Sequence, residues 1–349
     1  MKRILALILS VAMLAAFATG CKKNNTSEKA EETKTEAKED TKYVEGGMKI
    51  ATTTSDFGEY TRDLKQRIDY LSQSGFRYID LSFFGTSDMD PFMKDSWKDY
   101  ANEIKQYAAD KGMTFVQAHA PNGTPFKDQR SYDDAVKKII RSIEVCQVLG
   151  IQNIVVHPGD NKEFDQETYT AKNLEFFSEF IPTMEATGVN VLIENSSKEL
   201  RNCYCMDTGE ELKAFIELLN HPQFKVCWDT GHANLQGAQY DHIVALGDLL
   251  AGIHISDNLG EDDNHMMPYQ GVVNFDEVMS ALVKIDYKGV FTFECDSNLI
   301  YGKSWLNSRN EYTDSLKLYY PPVEVKISME KTMLQIGEYM PTQYEIPLG

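Results

Sequence analysis

Apolar and polar positions along the chain fall into one repeating unit. Short runs of mainly aliphatic, β-branched or aromatic residues recur at "MKIATTT" (48–54), "FRYIDLSFF" (76–84), "MTFVQAHAP" (113–121), "IQNIVVHPG" (151–159), "VNVLIENSS" (189–197), "FKVCWDTGHAN" (224–234), "LAGIHISDN" (250–258) and "GVFTFECD" (289–296). Each closes on polar residues or on Gly and Pro. Continuous apolar runs of this length predict strands buried on both faces, as in a parallel sheet. Helical spacing fills the intervals. Residues 131–150 place Val136, Ile139, Ile140, Ile143 and Cys146 on one face, with Ser131 as the expected N-cap and Gly150 as the stop; Leu64, Ile68 and Leu71 ahead of Gly75 repeat the arrangement. Eight such units, with helices long enough for right-handed crossovers, predict an α/β fold: a parallel (β/α)8 TIM barrel over residues 48–349. The last stretch, "PPVEVKISMEKTMLQIGEYMPTQYEIPLG", reads as a final helix and a wrapping C-terminal tail.

The N-terminus breaks the pattern. "MKRILALILSVAMLAAFATGC" starts with Lys2 and Arg3, continues as an apolar run from Ile4 to Phe17 and ends on small residues before Cys21. That is the layout of an export signal, and the run is short for a membrane span. Its "ATGC" ending resembles the lipobox of bacterial lipoproteins, which implies a signal peptide over residues 1–20 and lipidation of Cys21. Residues 21–47 have almost no aliphatic side chains and interleave Lys with Glu, Asn, Thr and Ser, so a disordered tether is expected. Lipid and tether together would hold an exported domain at the cell membrane through the anchor alone.

Charge and cysteines narrow the function. The net charge is −18; with about +2 in the signal and −1 in the tether, about −19 rests on the domain, which disfavours nucleic acid as a partner. Besides Cys21 there are five cysteines, at 146, 203, 205, 227 and 295, an odd set for a disulfide framework. "CYC" at 203–205 has no second pair at zinc spacing, so loop or core thiols are expected there.

Candidate chemistry lies at the ends of the runs. In a parallel barrel every strand ends on one rim, so residues some 35 positions apart converge. That rim would hold His119, His157, Glu194, Asp229 with His232, His254 and Glu294, joined by Asp263 and His265 from the loop after the seventh strand; five of the seven histidines fall in these positions. One such histidine alone would be read as a satisfied hydrogen-bonding residue. A cluster of buried carboxylates among imidazoles needs cations to offset its repulsion and desolvation, and a divalent metal site is the economical reading. The aromatic residues Phe83, Phe84 and Trp228 are read as packing, Tyr269 as a ring near the rim that a substrate would meet, and Asp80 as meeting either a substrate hydroxyl or a barrel loop.

At these residues the chain resembles the xylose isomerase-like TIM-barrel superfamily, through "AHAP", "VVHPG", "LIEN", "WDTGHAN", "IHISDN", "DDNHMMPYQGVVNF" and "FTFE" over residues 48–300. The resemblance to its sugar isomerases and epimerases implies one divalent ion (Mn, Mg or Co) on Glu194, Asp229, His254 and Glu294. It further implies a proton moved next to a carbonyl through an enediolate, with Glu194 and Glu294 as acid/base pair and His232 on a substrate hydroxyl. The implied partner is a small-molecule carbohydrate, and related barrels often form homodimers. "MMPYQG" departs from the "PGEG"-like turn of the superfamily by Tyr-Gln in place of Gly-Glu.

The resemblance to endonuclease IV, in the same superfamily, implies a different outcome. There, nine ligands would hold three zinc ions for phosphodiester cleavage: His119, His157, Glu194, Asp229, His232, His254, Asp263, His265 and Glu294. All nine residue types are present. The exported, acidic domain favours the sugar reading. A third reading, a lipoprotein that binds a sugar without turnover, lacks the two-lobed clamp of a solute receptor.

Overall fold

The computed structural model describes residues 43–196, 206–296 and 321–349. The signal peptide, Cys21, the tether up to residue 42 and the "CYC" cysteines lie outside the described residues. Eight parallel strands close a barrel in chain order: β1 (Tyr43–Thr53), β2 (Tyr78–Ser82), β3 (Thr114–His119), β4 (Asn153–Val156), β5 (Asn190–Glu194), β6 (Phe224–Asp229), β7 (Leu250–Ile255) and β8 (Val290–Phe293). Each predicted run coincides with one of them, and only β1 reaches outside its run. The described helices between and after the strands are α1 (Leu64–Ser74), α2 (Trp97–Asp110), α3 (Gln129–Leu149), α4 (Gln166–Ser178), α5 (Ile181–Thr187), α6 (Gly209–Leu219), α7 (Thr230–Asn234), α8 (Tyr240–Leu246), α9 (Phe275–Lys284) and α10 (Val323–Gln343).

Local chemistry accounts for the element boundaries. Gly75 and Gly150 close α1 and α3 in the left-handed conformation that glycine adopts without strain. The N-cap of α3 is Asp128, not Ser131: its carboxylate accepts the Ser131 N–H at 2.7 Å, so the helix begins earlier than its apolar face suggests. Strand β1 starts at Tyr43 rather than Met48. The Arg77 guanidinium sits 3.9 Å over the Tyr43 ring, and Tyr43 and Met48 both bridge to Leu348, so the C-terminal tail extends the pairing below the barrel. The end of the chain thus pairs beside the start of β1.

The main apolar core lies between sheet and helices, with Ile79, Phe177, Trp228, Phe291 and Phe293 fully buried. Two small clusters, Ala51–Val116–Val290 and Val155–Leu192–Cys227, belong to the inward-facing positions that fill the barrel. Toward the C-terminal rim the buried residues turn polar: Asp80, Gln117, Thr292 and His254. In α10, Lys326 and Glu330 form a fully buried pair at 2.8 Å.

Candidate metal centre

Strand β6 ends on Asp229 and turns at once into α7, for which Asp229 is the N-cap. Its Oδ1 accepts the His232 N–H at 2.7 Å and lies 3.4 Å from the Ser256 hydroxyl. Its Oδ2 is buried with no hydrogen-bond partner. Asn195, one residue past β5, clamps the same turn: it donates to the Asp229 carbonyl at 3.0 Å, and its Oδ1 accepts the Asp229 N–H at 2.5 Å. Capping consumes one carboxylate oxygen and leaves the other free. The turn also requires Gly231, where a Cβ would stand 2.3 Å from the Ser256 hydroxyl.

All nine rim residues singled out from the sequence come together. Glu194, Asp229, His254 and Glu294 offer ligand atoms within 4.8 Å of one another. His254 Nδ1 lies 2.8 Å from Glu194 Oε1 and 2.9 Å from Glu294 Oε2. Two further groups flank this one, His119–His157–Glu194 and His232–Asp263–His265. In the first, Glu194 Oε2 is 2.5 Å from His157 Nε2 and 3.2 Å from His119 Nε2. In the second, Asp263 Oδ2 is 3.0 Å from His265 Nε2 and 3.3 Å from His232 Nε2. The loop after β7 delivers Asp263 and His265 by folding back through the Asp257–Met266 bridge, and Asp257 pins it by accepting the N–H groups of Gly271 and Val273.

Backbone carbonyls orient three of the imidazoles. His119, His232 and His265 hold Nδ1 against the carbonyls of Ala120, Asn195 and Glu294 at 2.9–3.0 Å, which places a proton on Nδ1 and turns Nε2 toward the cluster. His119 Nε2 and His157 Nε2 then face each other at 3.2 Å, an arrangement that needs a proton or a cation between them. Burial alone would raise the Glu294 carboxyl, but the neighbouring His254 and His265 hold it at about 2. Burial depresses the His232 imidazole, yet Asp229 and Asp263 outweigh it and lift it to about 10. For Asp229 burial dominates; His232 opposes it, Glu194 and Asp263 add to it, and the carboxyl rises to about 6. Carboxylate and imidazole donors, with buried oxygens of Asp229 and Asp263 lacking any partner, fit a divalent cation.

Other expectations shift. Asp80 meets neither a loop nor the open rim; it lies inside the barrel against Gln117. Phe84, read as packing, lies with its ring 4.4 Å from that of His119 and roofs the histidine pair. Tyr269 is 62% exposed and leans on Phe275 instead of the cluster. Asn195 and Gln117 were not singled out from the sequence, since their roles depend on strand register; only the position of Asn195 directly after Glu194 marks it.

A model of the family described as "Xylose isomerase-like TIM barrel" matches residues 68–319. By sequence the chain is 30% identical over 184 residues to an uncharacterized protein of Methanocaldococcus jannaschii, covering 49% of this chain and 62% of that protein. It is 25% identical over 247 residues to the D-psicose 3-epimerase of Ruminiclostridium cellulolyticum, covering 68% and 79%. By structure it is similar to D-psicose 3-epimerase with D-tagatose from Clostridium cellulolyticum H10 (TM-score 0.65, 20% identity, 84% of this chain and 99% of that one). It is similar to the same degree to an IOLI protein with a bound zinc atom (TM-score 0.65, 16% identity, 85% and 99%).

Proposed function

The chain belongs to the xylose isomerase-like TIM-barrel family, and from that premise we propose that it is a divalent-metal-dependent sugar isomerase or epimerase. The observation that carries this reading is the four-residue group at the barrel mouth, where Glu194 and Glu294 approach His254 Nδ1 from different strands. Relatives named as D-psicose 3-epimerase, inosose isomerase and L-ribulose 3-epimerase support a carbohydrate substrate.

Glu194, Asp229, His254 and Glu294 would hold the cation. When bound, it supplies polarisation of the substrate's carbonyl and hydroxyl oxygens, which lowers the cost of an enediolate. One glutamate takes the proton from the carbon next to the carbonyl, and the other delivers a proton to the opposite face or the adjacent carbon. His232, fixed by the Asn195 carbonyl, orients a substrate hydroxyl.

A second reading has its own observation: the two flanking groups complete a nine-ligand set, and two imidazole nitrogens converge at 3.2 Å. That set suits three zinc ions and hydrolysis of a phosphodiester. Elemental analysis of the full-length chain, purified without added metal or chelator, separates the two. About one exchangeable ion per chain, with ketose conversion that Glu294→Gln abolishes, supports the isomerase. About three zinc ions, with phosphodiester cleavage, puts the hydrolase in its place. A chain that takes up no metal overturns both.

The same proposal places the enzyme outside the cell membrane, anchored through a lipid on Cys21. Incorporation of labelled palmitate that Cys21→Ala abolishes would support the anchor; an unlabelled wild-type chain would remove it.

A further inference from the structure

Building on the metal-binding reading above, the geometry points to Asp80 as a positioning residue: in the metal-loaded protein it would accept the Nε2–H of His254 and so commit the opposite ring nitrogen, Nδ1, to the cation. His254 differs from its neighbours. His119, His232 and His265 turn Nε2 to the cluster and anchor Nδ1 on main-chain carbonyls. His254 turns Nδ1 inward, between Glu194 and Glu294, and its Nε2 points away from them into the barrel. What stands behind it is a polar layer. Gln117 Nε2 lies 3.1 Å from His254 Nε2 and donates to Asp80 Oδ2 at 2.7 Å, with Thr292 Oγ1 at 3.4 Å. Asp80 Oδ2 itself lies 3.7 Å from His254 Nε2.

Asp80 is 1% exposed and Gln117 fully buried, and Asp80 Oδ1 and Gln117 Oε1 have no hydrogen-bond partner. A carboxylate in that position is a poor solution to packing, which an aliphatic side chain would satisfy. It is a good solution to fixing a proton on Nε2. Without a cation, the Nδ1–H of His254 faces the two glutamates and Nε2 lies 3.1 Å from the Gln117 amide nitrogen. When a cation takes the Nδ1 lone pair, that proton leaves, and a neutral ring must carry its one proton on Nε2. The new donor needs an acceptor, and the Asp80 carboxylate is the anion within reach of a small ring movement. Gln117 holds Asp80 in line by donating to the same oxygen. The Nδ1 proton is released when the cation binds, and the metal-bound ring keeps its single proton on Nε2. Placed behind the imidazole, Asp80 acts on substrate only through His254.

The test compares the full-length wild type with Asp80→Asn, Asp80→Leu and Gln117→Leu. Zinc affinity is measured by chelator competition, and the ring nitrogens of His254 are followed by 15N NMR in the zinc-loaded, diamagnetic state. The expected result is protonation of His254 on Nε2 in the loaded wild type and zinc affinity reduced roughly 10- to 100-fold in Asp80→Leu. Asp80→Asn, which keeps an oxygen acceptor without the charge, should fall in between while its metal-free unfolding midpoint stays near wild type. A merely structural role would move the midpoint and leave the ring nitrogens unchanged. Equal zinc affinity in wild type and Asp80→Asn and Asp80→Leu, or an unprotonated Nε2 in the loaded wild type, would overturn the inference alone. A wild-type chain that takes up no zinc would instead overturn the metal reading, and this inference with it.

Discussion

Asp229 divides two tasks between two oxygens. Oδ1 caps α7 through the His232 N–H, and Oδ2 stands unpartnered beside Glu194, His254 and Glu294. An Asn side chain can still cap with its oxygen, but its amide would replace the free acceptor. Asp229→Asn should therefore keep the metal-free fold within about 1 kcal/mol in denaturant unfolding, while metal uptake falls by at least about tenfold. An Asn variant that unfolds early and yet loads metal normally would refute this division. At this scale the sequence was legible wherever a polar residue follows an apolar run, because barrel topology brings strand ends together. It was illegible for Asp80 and Gln117. They sit within the runs "YIDLS" and "TFVQAH", and the register between β2 and β3 shifts there by a bulge, so no periodicity shows that both face inward toward His254.

The element that transmits this design is the β6–α7 turn. Gly231 has its would-be Cβ 2.3 Å from Ser256 Oγ, 3.2 Å from Asp229 Oδ1 and 3.3 Å from Asn258 Nδ2. Asn258 also donates to the Gly231 carbonyl at 2.7 Å, so α7 cannot slide away from β7 without losing that bond. Gly231→Ala should cost roughly 1–3 kcal/mol of stability by overpacking and weaken metal binding by displacing Asp229. In a Ser256→Ala background, which removes the closest atom, the penalty should shrink; additive effects in the double-mutant cycle would mean the clash is not the cause. Strands, stop glycines and the last helix were readable from composition, since burial on both faces and left-handed caps leave strong local signals. The start of β1 and the cap of α3 were not. The first depends on Arg77 and Leu348 from distant parts of the chain, the second on an Asp three residues ahead of the expected cap.

Over the whole molecule the cluster couples protons, cation and stability. His232 rises from 6.5 to about 10, so its bound proton stabilises the metal-free fold fully below pH 6.5, and that contribution is lost as pH climbs toward 10. Glu294, lowered from 4.5 to about 2, contributes above pH 4.5 and loses its effect as pH falls through about 2. Asp229 runs the other way: raised from 3.8 to about 6, it costs stability increasingly as pH rises across that interval. A cation on Glu194, Asp229, His254 and Glu294 relieves the Asp229 charge, takes the place of the His254 Nδ1 proton and disfavours the charge on His232 beside it, so cation and protons compete for one cluster. Metal-linked stabilisation should then grow with pH. At a free metal concentration near one hundred times Kd the gain is about 2.7 kcal/mol, which corresponds to roughly 5 °C in Tm for a domain of this size. The difference in Tm between metal-loaded and EDTA-treated full-length chain should approach that value at pH 8 and be clearly smaller at pH 5.5, where displacing a bound proton from the cluster costs more. Thermal unfolding followed by circular dichroism at both pH values checks this. An equal difference at both would show that metal binding displaces no protons, and a cluster that binds metal without displacing protons cannot be built from the imidazoles described here.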